Sequence, residues 1–135
     1  MAGDKEEALN VQLITAVAAG GAIGSIARYL VGVGSGKLFG TSFPWGTLII
    51  NIVGSFLIGV LVELFALRWD LPQVWRVFLT IGICGGFTTF STFSLDAYLL
   101  LDRGELWTSA AYMVGSVVLS VAGLFAGLQL IRAIS

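Results

Sequence analysis

The chain has 135 residues, 57% of them hydrophobic and 11% charged. A soluble domain carries about 25% charged residues, and so few charges would leave large apolar patches facing water, so lipid is the natural surrounding. The net charge of −1 points away from nucleic acid and acidic substrates. A single cysteine, Cys84, excludes an intrachain disulfide and suggests no metal cluster, and the lack of histidine removes the commonest general base.

The first ten residues, MAGDKEEALN, are polar and acidic. They lack the basic start and apolar run of a cleavable signal peptide. Membrane insertion is therefore expected to be driven by the later helices. A helix needs roughly 20 apolar residues to cross about 30 Å of hydrocarbon, and four stretches qualify, at about 11–33, 46–67, 74–101 and 106–131. The links VGSGKLFGTSFP, RWDLPQ and DRGE are short, which predicts antiparallel neighbours in a single domain over 1–135.

In the first stretch Gly20 and Gly24 are spaced by four, with Gly21 and Ser25 beside them. Such spacing lets membrane helices approach closely and reads as packing before ligand contact. Arg28 lies toward the end of this helix. It either snorkels to the interface or forms part of an anion-attracting mouth.

The second stretch places Thr47, Asn51 and Ser55 on one face. Asn51 offers two N–H donors, either to a passing anion or to an interhelical hydrogen bond. Glu63 lies near the end of this helix, where it can reach water.

The third stretch contains GICGGFTTFSTFSLD, from Gly82 to Asp96. Adjacent glycines and β-branched threonines are poor material for a helix centre, so a break is expected at about 85–89. Carbonyls freed at membrane depth must find partners. Turned inward they suit a hard cation such as sodium, and a glycine kink satisfied by neighbouring hydroxyls is the plainer alternative. Phe90 and Phe93 follow, interleaved with Ser91, Thr92 and Ser94. The positive edges of their rings would attract an anion weakly, although the same spacing fits ordinary core packing. An ionised Asp96 would repel an anion, so it is protonated, paired or directed away.

The fourth stretch aligns Ser109, Tyr112, Ser116 and Ser120 on one stripe, with Gly123 and Gly127 beyond it. Tyr112 and Ser116 can donate hydroxyl hydrogens to an anion. Helix–helix hydrogen bonding, at about 0.6 kcal/mol per bond, is the alternative. Across the loops, Lys5, Arg68, Arg76 and Arg132 fall on one side, and Lys37 and Arg103, with Arg28 near them, on the other. So feeble a bias is either a weak count in a short protein or the mark of a chain that inserts both ways round.

The sequence resembles the Fluc (CrcB) family of fluoride channels over all four stretches. The resemblance is carried by GGAIGSIARY (Gly20 to Tyr29), WGTLIINIVGSFLIG (Trp45 to Gly59) and GGFTTFSTFS (Gly85 to Ser94), with Tyr112 and Ser116 at the matching distance downstream. It implies an all-α, multi-pass protein of the bacterial cell membrane whose third helix is broken near its centre. It further implies a dual-topology (antiparallel) homodimer with two parallel fluoride pores. Asn51 would be the pore asparagine, and Phe90 and Phe93 the phenylalanine box. Ser91 and Thr92 would extend a polar track with Tyr112, Ser116 and Thr47, and Arg28 would stand at the vestibule. The carbonyls of Gly85 and Thr88, from both subunits, would hold a structural sodium ion. Several members carry a Glu where this chain has Asp96, so no pore role is assigned to it.

Two rivals stand beside this reading. A small dual-topology proton-coupled multidrug exporter would need a membrane-embedded acid in the first helix, which has none from Val11 to Val33. A structural membrane subunit would conduct nothing. An enzyme is not expected, since the sequence offers no nucleophile–base pair.

Overall fold

The computed structural model describes residues 10–135. Lys5 and the acidic start lie outside the described residues. Helix α1 spans Val11–Phe39. Asn10 caps it by accepting from the Gln12 N–H at 2.7 Å, which satisfies one of the free donors of the first turn. The helix continues to Phe39 rather than stopping near residue 33. Glycines in GSGKLF weaken a helix without ending it, and termination waits for Gly40, whose φ of 80° breaks the ladder. At about 1.5 Å per residue α1 is roughly 43 Å long, so its last turns extend past the hydrocarbon. Lys37 in the last turn complements the helix dipole there.

Helix α2 spans Trp45–Leu67 and starts directly after Pro44. The third membrane span is composite. It begins with α3, Gln73–Val77, widens into a π-helical stretch, Phe78–Cys84, and narrows into α4, Gly85–Phe87. Thr88 and Thr89 are extended, with ψ of 156° and 121°. Helix α5, Phe90–Asp102, completes the span. The turn to α6, Leu106–Ile134, uses Gly104 at φ 80°. The break is narrower than the expected 85–89, because Gly85 and Gly86 stay helical.

The π-helical stretch has no counterpart in the sequence reading. It lies against α1, where glycine meets glycine. A Cβ on Gly20 would sit 2.8 Å from the Gly82 Cα, and one on Gly24 would overlap the Ile83 carbonyl oxygen. On the other side α2 packs along α6, and a Cβ on Gly59 or Gly127 would overlap backbone of the facing helix. Glycines at these contacts replace side-chain interlocking by backbone proximity, the usual way to gain dispersion where lipid supplies no hydrophobic drive.

One buried apolar cluster consists of Ala97, Leu100 and Tyr112, flanked by Phe43, Leu48 and Phe93, while Ile50, Cys84, Phe87 and Ile131 are buried elsewhere. Most large apolar side chains, including Ile26, Leu30, Val118 and Phe125, point outward. Such an inverted surface is stable in lipid rather than water. Among the described residues four helical spans are long and apolar enough to cross a membrane. The ends of α2 and α6 are tied together, because Arg68 donates to the Ile134 carbonyl at 3.0 Å and Arg132 pairs with Glu63 at 3.3 Å. Glu63 is buried and paired rather than simply reaching water.

Candidate functional site: the broken span and its two cavities

In an unbroken helix the Thr89 N–H would bond the Gly85 carbonyl. Here it donates to Asn51 Oδ1 at 2.9 Å, while Asn51 Nδ2 donates to the Thr89 carbonyl at 3.0 Å. One amide side chain thus satisfies both backbone groups of Thr89 and fixes its own orientation, since reversal would set donor against donor. One Nδ2 hydrogen of Asn51 remains uncommitted. Likewise the Thr92 N–H, the regular partner of the Thr88 carbonyl, donates to Thr89 Oγ1 at 3.1 Å, an N-cap for α5. The Gly86 carbonyl accepts from Arg28 Nε at 3.1 Å. The diversions therefore strip the usual donors from the carbonyls of Gly85 and Thr88.

A groove of about 370 Å³ opens beside the break. Asn51, Ser55, Gly85, Thr88, Phe90, Phe93, Ser116 and Ser120 are among the residues that line it. Phe90 is 78% exposed. The rings of Phe90 and Phe93 lie 5.5 Å apart at 51°, and Phe93 stacks at 5.2 Å on Tyr112. Ser116 is only 5% exposed, and its Oγ has no hydrogen-bond partner among the described residues. A buried hydroxyl without a partner costs about 1–3 kcal/mol.

A second cavity of about 500 Å³ lies on the far side of Thr89, lined among others by Arg28, Thr47, Thr92, Asp96 and Arg103. Thr89 borders both spaces. Tyr112, 1% exposed, donates to Asp96 Oδ2 at 3.2 Å. Asp96 is thus paired, one of the options its position left open. Phe43 meets Tyr112 edge-on at 5.5 Å and 89°. Arg103 is tethered to the Ser42 carbonyl at 2.7 Å and to Glu105 at 2.7 Å.

Of the residues singled out in the sequence, Asn51, Phe90, Phe93, Ser116, Gly85 and Thr88 share the groove. Arg28, Thr47 and Thr92 share the second cavity, and Tyr112 reaches it through Asp96. Ser91 lines neither and lies 3.3 Å from Thr89 Oγ1 on the exposed side. Ser109 donates to the Ala97 carbonyl at 2.8 Å, a tie between α6 and α5. Sequence reasoning missed Thr89, which both closes the break and divides the cavities. The TT pair gave notice of a break but not of which threonine would be unwound. It also missed Phe43, which lies in a loop where periodicity carries no signal.

Fold and cavities define a small multi-pass membrane protein with a broken helix between two cavities. The chain belongs to the CrcB family, since residues 15–128 match the model described as CrcB-like protein, Camphor Resistance (CrcB). It is 65% identical over 121 residues to a Nitrobacter winogradskyi protein named fluoride-specific ion channel FluC, covering 90% of this chain and 96% of that one. Proteins of the same name from Agrobacterium fabrum (60% over 119 residues, 88% and 95% covered) and Rhodospirillum centenum (54% over 122 residues, 90% and 97% covered) are similar along the same length.

Proposed function

We propose that the protein is a fluoride-selective channel that lets fluoride leave the cell passively. The observation that carries this reading is the buried, unpartnered Ser116 hydroxyl in a groove that also holds a free Asn51 N–H and two phenylalanine rings. Fluoride is small and strongly hydrated, so a pore must replace its water with donors while holding it loosely enough to release it. Arg28 and Arg103 make the second cavity attractive to anions. Tyr112 engages Asp96 and tempers the repulsion from its carboxylate. Beyond Thr89, the Asn51 N–H, the Ser116 O–H and the ring edges of Phe90 and Phe93 offer graded attraction without a full positive charge.

The working form in this reading is a dual-topology homodimer with two pores. A single copy leaves its groove open and Phe90 largely exposed, and a second copy supplies the missing wall. The carbonyls of Gly85 and Thr88 fit a structural sodium ion. They are hard oxygen donors, they have lost their regular N–H partners, and they lie where the first arm of the third span ends, the negative pole of its dipole. Two carbonyls are too few for one ion, so both copies would contribute. The ion would tie the two broken spans together.

Proteoliposomes loaded with fluoride or chloride test the reading. Rapid fluoride loss with retained chloride is expected. Fluoride permeability equal to that of empty vesicles would defeat it, and proton-driven uptake of organic cations would favour an exporter instead.

A further inference from the structure

Gly40 ends α1 and Pro44 opens α2, so the link between them is short. Links of this kind ordinarily lie on the surface and move more than the helices they join. This one is tied down. The Ser42 carbonyl accepts from Arg103 at 2.7 Å, and Arg103 sits in the turn between α5 and α6, braced by Glu105 at 2.7 Å. A hydrogen bond from a charged donor is roughly twice as strong as a neutral one. The Phe43 carbonyl accepts from the Trp45 N–H at 2.8 Å. Ser42 is exposed, but Phe43 turns inward and packs against Ala97, Leu100 and Tyr112.

Phe43 thereby enters a continuous row of rings that runs from the link to the groove. Trp45 lies 4.7 Å from Phe43, Phe43 lies 5.5 Å from Tyr112, Tyr112 lies 5.2 Å from Phe93, and Phe93 lies 5.5 Å from Phe90. Helix α6 fixes where the Tyr112 backbone stands. The direction of its ring is set by what lies on either side, Phe43 edge-on at 89° and Phe93 tilted at 43°. Held so, the Tyr112 hydroxyl donates to Asp96 Oδ2 at 3.2 Å. Phe43 and Asp96 both line the second cavity. Without the Phe43 ring, Tyr112 gains room to swing toward the link. The Asp96 carboxylate then loses its donor and faces the cavity with its charge uncovered, which repels an anion.

We propose that Phe43 is a positioning residue for the anion path: clamped in place by Arg103 on the Ser42 carbonyl, it holds the Tyr112 hydroxyl on Asp96. The inference rests on the channel reading above. Phe43 offers an anion no N–H or O–H donor of its own, so its whole effect on conduction passes through Tyr112. That separates it from the residues that touch the ion, and it gives the α1–α2 link a role in conduction as well as in connection.

A double-mutant cycle on fluoride efflux from proteoliposomes tests this, with elution on size-exclusion chromatography as the check on assembly. Phe43→Leu keeps an apolar filler but removes the ring, and should slow efflux roughly fivefold, in keeping with the loss of one edge-on aromatic contact. Once the hydroxyl is gone there is nothing left to position. Phe43→Leu added to Tyr112→Phe should therefore stay within about twofold of Tyr112→Phe alone, a strong departure from additivity. A packing defect would instead slow both backgrounds by the same factor, and that result would overturn the proposal. Parent-rate efflux in Phe43→Leu would overturn it too. If Phe43→Leu does not assemble, Phe43→Met, an unbranched filler without a ring, carries the same expectations. Failure of both to assemble would mark Phe43 as a packing residue and overturn the proposal. A parent protein that releases no fluoride would instead overturn the channel reading itself.

Discussion

Replacing Asn51 with Ala would leave the N–H and C=O of Thr89 without partners at membrane depth. Two orphaned backbone groups should cost about 2–4 kcal/mol, measurable as a lower midpoint of denaturant-induced unfolding. Asn51→Asp differs. It keeps an acceptor for the Thr89 N–H but sets a negative oxygen against the Thr89 carbonyl and in the proposed anion path, so fluoride efflux should fall more steeply than stability. The phenylalanines separate in the opposite sense. Phe90 is mostly exposed in the single copy and Phe93 is packed on Tyr112. Phe90→Ile or Phe93→Ile should slow or abolish efflux while leaving the elution position on size-exclusion chromatography unchanged. Efflux at the parent rate in either variant would remove that ring from the mechanism.

At the scale of elements, the decisive contacts are between backbones. Gly127→Ala places a methyl against the Phe56 carbonyl and within 2.9 Å of the Val60 nitrogen. Neither can rotate away, so α2 and α6 must separate, and the variant should assemble poorly. Gly115→Ala, where a Cβ meets nothing within 4 Å, should assemble like the parent. Equal yields of the two on size-exclusion chromatography would show that the close helix contact is not needed. The Glu63–Arg132 tie between the same helices joins a largely buried acid to a half-exposed base. Solvent weakens the pair itself, yet removing Arg132 alone strands the carboxylate. Arg132→Ala should therefore destabilise by about 1–2 kcal/mol, and adding Glu63→Gln should recover part of that loss.

For the whole molecule, orientation is the open physical variable. Arg68, Arg76 and Arg132 lie on one side, and Lys37, Arg28 and Arg103 toward the other, so the charges barely favour either insertion. If both orientations are needed, adding lysines to one loop should lock the chain in one direction and abolish fluoride resistance in cells. Co-expressing two variants biased in opposite directions should restore it. Full activity from either biased variant alone would rule out the antiparallel dimer.

Four apolar stretches of spanning length, separated by short polar links, were enough to place the four membrane helices, because hydrophobic length is a local property of the chain. Gly85, Thr88 and Thr89 likewise marked a weak point in the third span through local propensity. The end of α1 was less legible, since GSGKLF has weak helix formers but no residue that forbids the helix before Gly40. What only tertiary structure decided was how the freed polar groups were shared out. Asn51 took the Thr89 backbone, Thr89 took the Thr92 N–H, Tyr112 took Asp96, and Ser116 was left with nothing. Those assignments depend on the register of α2 against α6 and on the widened turn at Phe78–Cys84, both set by glycine contacts between segments far apart in sequence. Local propensity cannot encode a distance between two helices, and that distance determines which donors remain free for an ion.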